Sequence, residues 1–221
     1  LPRLIPVLDQ ALLDAPSAYE RVAILRAIGA TDADLYRRRV LAKARVSGTA
    51  GLREWGAELG GLSPDTNVQK WAVTGAYRRG PRAPRLSALA ETLLPGQDDP
   101  RFSWRERLPQ ADGYVDLLGD VAPANRAQNS VSYARVYLFA QTARRVPVAL
   151  GSDDGIQVYV GDKRVFADAT THRATPWQHF LELPLEPGWN RVTLAVTNNV
   201  GDSGFYFQLL DDDVETSIAP D

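Results

Sequence analysis

Two clusters of oxygen-bearing side chains are the residues best placed to do chemistry. Ser152-Asp153-Asp154-Gly155 sets two adjacent carboxylates between a serine and a glycine, and Asn198-Asn199-Val200-Gly201-Asp202 gathers two carboxamides and a carboxylate further along. Such residues cap tight turns by accepting backbone N–H groups, and that reading accounts for both clusters without any ligand. The two histidines, His172 and His179, are seven apart. A zinc site takes three or four ligands, so a pair on a loop and a strand does not define one, and packing or surface roles are expected for both. The chain has no Gly-x-Ser-x-Gly elbow, no phosphate-binding glycine loop and no His-Glu-x-x-His. Glycoside hydrolysis needs two carboxylates held about 5 Å or about 6.5–9.5 Å apart. Acidic residues are plentiful, but none sits in a recognisable catalytic frame, and no catalysis is expected.

Bulk properties narrow the partners. With 25 basic and 27 acidic side chains and a net charge of −2, the chain lacks the basic excess that displaces counterions from nucleic acid or anionic membranes. Neither partner is expected. Hydrophobic residues make up 44%, enough to bury a real core in one large or two modest domains. The absence of cysteine excludes disulfides, thiolate metal sites and cysteine nucleophiles, and lets the chain tolerate an oxidising compartment. Methionine is absent too, so a processed or excised start is expected, and no signal peptide is read. The longest apolar runs, such as 138–140 and 192–196, are far too short to span a bilayer, so no membrane insertion is expected.

Two textures must position these groups. Residues 1–62 read as four short amphipathic helices. Ile5, Leu8, Leu12 and Leu13 recur at helical spacing; Ser17 and Glu20 form a capping box; Val22, Leu25 and Ile28 give an apolar stripe; Leu52, Trp55 and Leu59 precede the stop at Gly60-Gly61. Antiparallel pairs of this size resemble a piece of a helical-repeat array. From 66 to 213 the period changes to two. Strands are expected at 69–77, 114–118, 131–140, 145–150, 156–160, 163–167, 180–185, 191–197 and 205–210, with a hairpin turn at Gly161-Asp162. Residues 79–112 form a long excursion, with one helical turn at 86–93. The strand at 131–140 is apolar on both sides, so both of its faces are expected to be covered. Short strands separated by Gly, Pro, Asn and Asp turns argue a mainly β fold, an antiparallel jelly-roll-like β-sandwich behind a small helical segment. The acidic run 211–213 reads as a solvated end.

The stretch 148–210 carries a family resemblance. Ser152-Asp153-Asp154-Gly155, the turn at Gly161-Asp162-Lys163, Gly188-Trp189-Asn190 and Gly201-Asp202-Ser203-Gly204-Phe205 follow one another, with Trp71 and Gly75 upstream. This order resembles the protective-antigen-type and galactose-binding-like sandwich modules appended to large secreted bacterial proteins. The resemblance spans about residues 66–212, with Gly161-Asp162 where Asn-Gly is usual. It implies that Asp153 and Asp154 hold calcium, in some members across a cis peptide, and that the ion holds two sugar hydroxyls. A downstream Asn/Asp loop, here Asn198, Asn199 and Asp202, completes the shell. Calcium takes six to eight oxygens, and these side chains with water or carbonyls supply enough. Pyranoses stack on flat aromatic faces, and Trp177, after Pro176 in a polar loop, is the expected platform. Trp104 and Tyr114 are weaker candidates, while Trp71, Phe205 and Trp189 are expected to plug the core. Arg164, Arg173 and Asp168 are expected to be solvated. Two functions follow: an extracytoplasmic (secreted, periplasmic or cell-surface) carbohydrate-binding module whose partner is a polysaccharide or other glycan, or a structural spacer that positions neighbouring domains of a larger chain.

Overall fold

The alternation read from the sequence folds into two antiparallel sheets packed face to face. The computed structural model describes residues 68–78, 85–96, 99–111, 113–119, 128–175, 178–210 and 214–220, with Val7, Gln10, Ala11 and Ile24. Those last four positions are helical; the rest of the expected helical segment, like 211–213, lies outside the described residues. The strands are β1 (Trp71–Val73), β2 (Tyr77–Arg78), β3 (Arg105–Arg107), β4 (Val115–Asp116), β5 (Ser130–Ala140), β6 (Arg144–Asp153), β7 (Ile156–Val160), β8 (Lys163–Asp168), β9 (His179–Leu185), β10 (Gly188–Asn198), β11 (Gly204–Leu209) and β12 (Glu215–Ser217). The larger sheet runs β3-β1-β5-β10-β7-β8, with β2 and β12 also pairing β5, and the smaller runs β4-β11-β6-β9.

The inward positions of both sheets fill the core. Val136 and Leu138 of β5, Val192, Leu194 and Val196 of β10, Val148 and Leu150 of β6, and Phe205 and Phe207 of β11 meet there. Trp71 is fully buried and stands edge-on to Phe205 at 4.9 Å and Phe207 at 5.1 Å. Trp71 and Phe205 therefore plug the sandwich as expected. Trp189 does not. It is 38% exposed and leans edge-on against Phe139 at 5.3 Å. The period of two explains the correction: with Val192, Leu194 and Val196 facing inward, position 189 falls on the outer face.

The larger sheet is covered on its outer side as well. Helix α1 (Leu86–Thr92) and Phe102 lay Leu86, Leu89 and Ala90 against Val131, Tyr133, Tyr159 and Ala195. The excursion is thus a second layer over β5, which is why that strand is apolar on both sides. The Tyr133 hydroxyl donates to the Ala90 carbonyl at 3.0 Å, and Gln157 donates its amide to the Ser87 carbonyl at 2.9 Å. Tyr133→Phe is expected to cost about 1 kcal/mol, read as a lower urea midpoint at unchanged slope.

The expected strand at 69–77 is interrupted. Thr74 turns its hydroxyl into the ladder, accepting the Tyr133 N–H at 3.0 Å in place of a backbone carbonyl. β3 and β12 were not legible in the sequence, because three-residue polar edge strands carry no alternation signal. No helix among the described residues is long and apolar enough to cross a membrane.

Candidate functional site

Three loops that cross from sheet to sheet lie side by side at one end of the sandwich. The 154–155 link joins β6 of the smaller sheet to β7 of the larger. The 199–203 loop joins β10 to β11, and the 169–178 loop joins β8 to β9. The register makes them neighbours: Asp153 pairs with Gly204, Ile156 with both Val196 and Asp168, and Leu150 with His179.

The two sequence clusters therefore meet. Asp154 is 4% exposed, and its Oδ2 accepts the Asn199 N–H at 2.7 Å. The Asp154 N–H donates to the Thr197 carbonyl at 2.9 Å, and the Thr197 N–H to the Gly155 carbonyl at 2.9 Å. The Ser152 hydroxyl donates to the Asp154 carbonyl at 2.7 Å, and the Asp153–Asp154 peptide is cis. Asp154 thus caps a turn, but a distant one rather than its own. Asn198 is buried; its amide donates to the Gly201 carbonyl at 3.3 Å, while its Oδ1 is buried without a hydrogen-bond partner among the described residues. Burial pushes the Asp153 carboxyl up, and the charges of Asp154 and Asp202 add to this, against His172 and the Ala174 N–H. The corner therefore concentrates negative charge around Asn198 Oδ1, and Ser203 Oγ of the same loop is likewise buried without a hydrogen-bond partner among the described residues. That donor set fits a hard cation such as calcium, which takes carboxylate and carboxamide oxygens.

Not every expected residue joins this corner. Asn199 turns its side chain away and donates to the Thr171 hydroxyl at 2.9 Å. Trp177 and Pro176 lie outside the described residues. Tyr114 packs on Tyr206 at 5.2 Å, and Trp104 lies under the Arg135 guanidinium at 4.1 Å, so both aromatics are engaged within the fold. Arg164 is ion-paired with Glu91. Beside Asn199 opens a cleft of about 310 Å³ lined by Arg85, Ser87, Asn129, Gln157, Thr171 and Asn199 among others. Its size falls in the range of small-molecule sites.

Thr175 and Gln178, between β8 and β9, lie directly on Gly151. A methyl group there would sit 1.8 Å from the Thr175 carbonyl oxygen and 2.7 Å from Gln178 Oε1. Gln178 fastens the loop, with Oε1 accepting the Ser152 N–H at 2.9 Å and Nε2 donating to the Arg173 carbonyl at 3.0 Å.

This loop also holds a group the sequence did not reveal. Asp168 Oδ2 lies 3.0 Å from Nε2 of His172 and 3.0 Å from Nε2 of His179. Asp168 is therefore not a solvated strand end, and the histidines do not merely pack. Burial opposes the Asp168 charge, but hydrogen bonds from His172 and Thr170 and the nearby His179 outweigh it, holding the carboxyl down at about 2. For His172, burial is outweighed by Asp168, and the ring is shifted up. The only sequence hint was the four-residue step from Asp168 to His172, which means little until the loop shape is known.

A scan against protein-family models finds no match, and a search of curated proteins returns none. Among solved structures the chain is similar to a family 35 carbohydrate binding module from an environmental isolate, at 17% identity and TM-score 0.31, covering 40% of this chain and 72% of that one. It is similar to a PA14 sugar-binding domain from an RTX adhesin, at 14% and 0.42, covering 68% and 95%. It is also similar to an anti-sigma factor domain-containing protein, at 13% and 0.38, covering 69% and 45%. At these TM-scores none of the likenesses bears on function; the residues above do.

Proposed function

We propose that the chain is a non-catalytic carbohydrate-binding module of the protective-antigen type, calcium-assisted, that targets a larger secreted or periplasmic protein to a glycan. The observation that carries this reading is the buried oxygen corner, where Asn198 Oδ1 has no donor among the described residues and the Asp153 carboxyl is crowded by Asp154 and Asp202. In this reading Asp153, Asp154, Asn198 and Asp202 hold calcium, which supplies the positive charge that binds sugar hydroxyls. The adjoining cleft takes the sugar ring, with Asn199 at its edge, and Trp177 supplies the stacking face. A single site of this kind is weak and gains strength on polymers through multivalency.

Melting with calcium and with chelator, paired with affinity gels across a polysaccharide panel, tests this directly. Calcium should raise the melting temperature, as any ligand of the native state does, and chelator should abolish retention on the gel. Asp154→Asn keeps an oxygen for the Asn199 N–H but removes the charge. It should lose both responses and still fold. If neither calcium nor any glycan changes melting or mobility, the spacer role replaces this reading.

A further inference from the structure

We propose that Asp168, His172 and His179 form a binding site for one divalent transition-metal ion of the zinc type, separate from the oxygen corner. Three donor atoms converge there, one from the end of β8, one from the following loop and one from the start of β9, all within 4.8 Å of one another. No other histidine, cysteine, aspartate or glutamate cluster of three or more does so among the described residues. The two 3.0 Å separations from Asp168 Oδ2 are close to the ~3.3 Å edge of a tetrahedron built on zinc bonds of about 2.0–2.1 Å.

The surroundings orient these atoms as ligands. His172 Nδ1 lies 3.0 Å from the Ser152 carbonyl, which can only accept; in the neutral tautomer that donates there, the lone pair sits on Nε2. Gln178 Nε2 lies 3.1 Å from the same Nδ1 and donates one of its two N–H groups to the Arg173 carbonyl. His172 Nε2 faces Asp168 Oδ2 at 3.0 Å, a separation that either a proton or a metal ion bridges. Asp168 Oδ1 accepts the Thr170 N–H at 2.9 Å and the Thr170 hydroxyl at 2.7 Å, which leaves Oδ2 aimed at the two rings. Outer hydrogen bonds of this kind, on a ligating histidine and on a ligating carboxylate, are how proteins fix metal ligands. The Asp168, His172 and His179 side chains are 14%, 25% and 24% exposed, open enough for an ion to enter and for water to fill a fourth position. Two imidazoles select a transition ion over calcium, which prefers oxygen throughout.

The test titrates the chelator-stripped chain with zinc chloride by calorimetry and with cobalt(II) by visible absorption. One equivalent should bind, and cobalt should show the intense bands of a four- or five-coordinate site rather than the pale aquo ion. Asp168→Asn and His179→Gln should each weaken zinc at least about tenfold, and Thr170→Val, which loosens the carboxylate, by about tenfold. Asp154→Asn should leave zinc binding intact, so this site can stand or fall without the calcium reading. Circular dichroism verifies that each variant folds, and the titration of the unaltered chain needs no variant. Failure of that chain to bind zinc, or binding indifferent to Asp168 and His179, overturns the proposal and leaves protons as the cations shared by the three groups. Loss of zinc in Asp154→Asn also overturns it, because the ion would then belong to the oxygen corner.

Discussion

Replacing Trp71 by alanine is expected to lower stability by about 3–5 kcal/mol, the usual cost of emptying a large aromatic from a close-packed core. The indole is fully buried between Phe205 and Phe207, and both edge-to-face contacts disappear with it. Its indole N–H is buried without a partner among the described residues, so it contributes volume rather than a hydrogen bond. Trp71→Phe should therefore cost clearly less than Trp71→Ala, since it keeps an aromatic and removes an unsatisfied donor. Urea denaturation of the two variants checks this. Equal losses would mean that the cavity is not what sets the cost.

Gly151→Ala is the second large effect, and it reaches function as well as stability. The added methyl would overlap the Thr175 carbonyl oxygen at 1.8 Å, and a backbone atom cannot swing aside as a flexible side chain does. The loop from 169 to 178 must lift, at about 1–3 kcal/mol for overpacking. Lifting it separates Gln178 from Ser152, and Thr171 from Asn199. Retention on polysaccharide should fall sharply even at temperatures where the variant remains folded. A variant that melts and binds like the unaltered chain would show that the loop does not rest on Gly151 in solution.

Much of this architecture was legible beforehand because alternation is a local signal. β7 was read with its bounds as observed, and the ends of β5 and β8 shifted by one residue, since Val, Tyr, Leu and Phe repeat at every second position. Trp189 shows the limit of judging residue type alone. An aromatic was assumed to face inward, although its parity with Val192 and Leu194 already placed it outside. The meeting of Asp154 with the 199–203 loop came from a family resemblance, not from spacing. Asn198 Oδ1 and the Asp168 cluster were not readable at all. Whether a buried oxygen finds a donor, and whether a carboxylate meets two rings, depends on loop paths that no periodicity encodes.

The crossings at one end have a mechanical consequence. Each of those loops has one foot in each layer, and the polar groups they carry are bonded across the gap, as Asp154 is to Asn199. Anything held among them is tied to both layers at once. It would act as a pin against shear, so that pulling on a captured polymer loads the two sheets together instead of peeling a single strand from an edge.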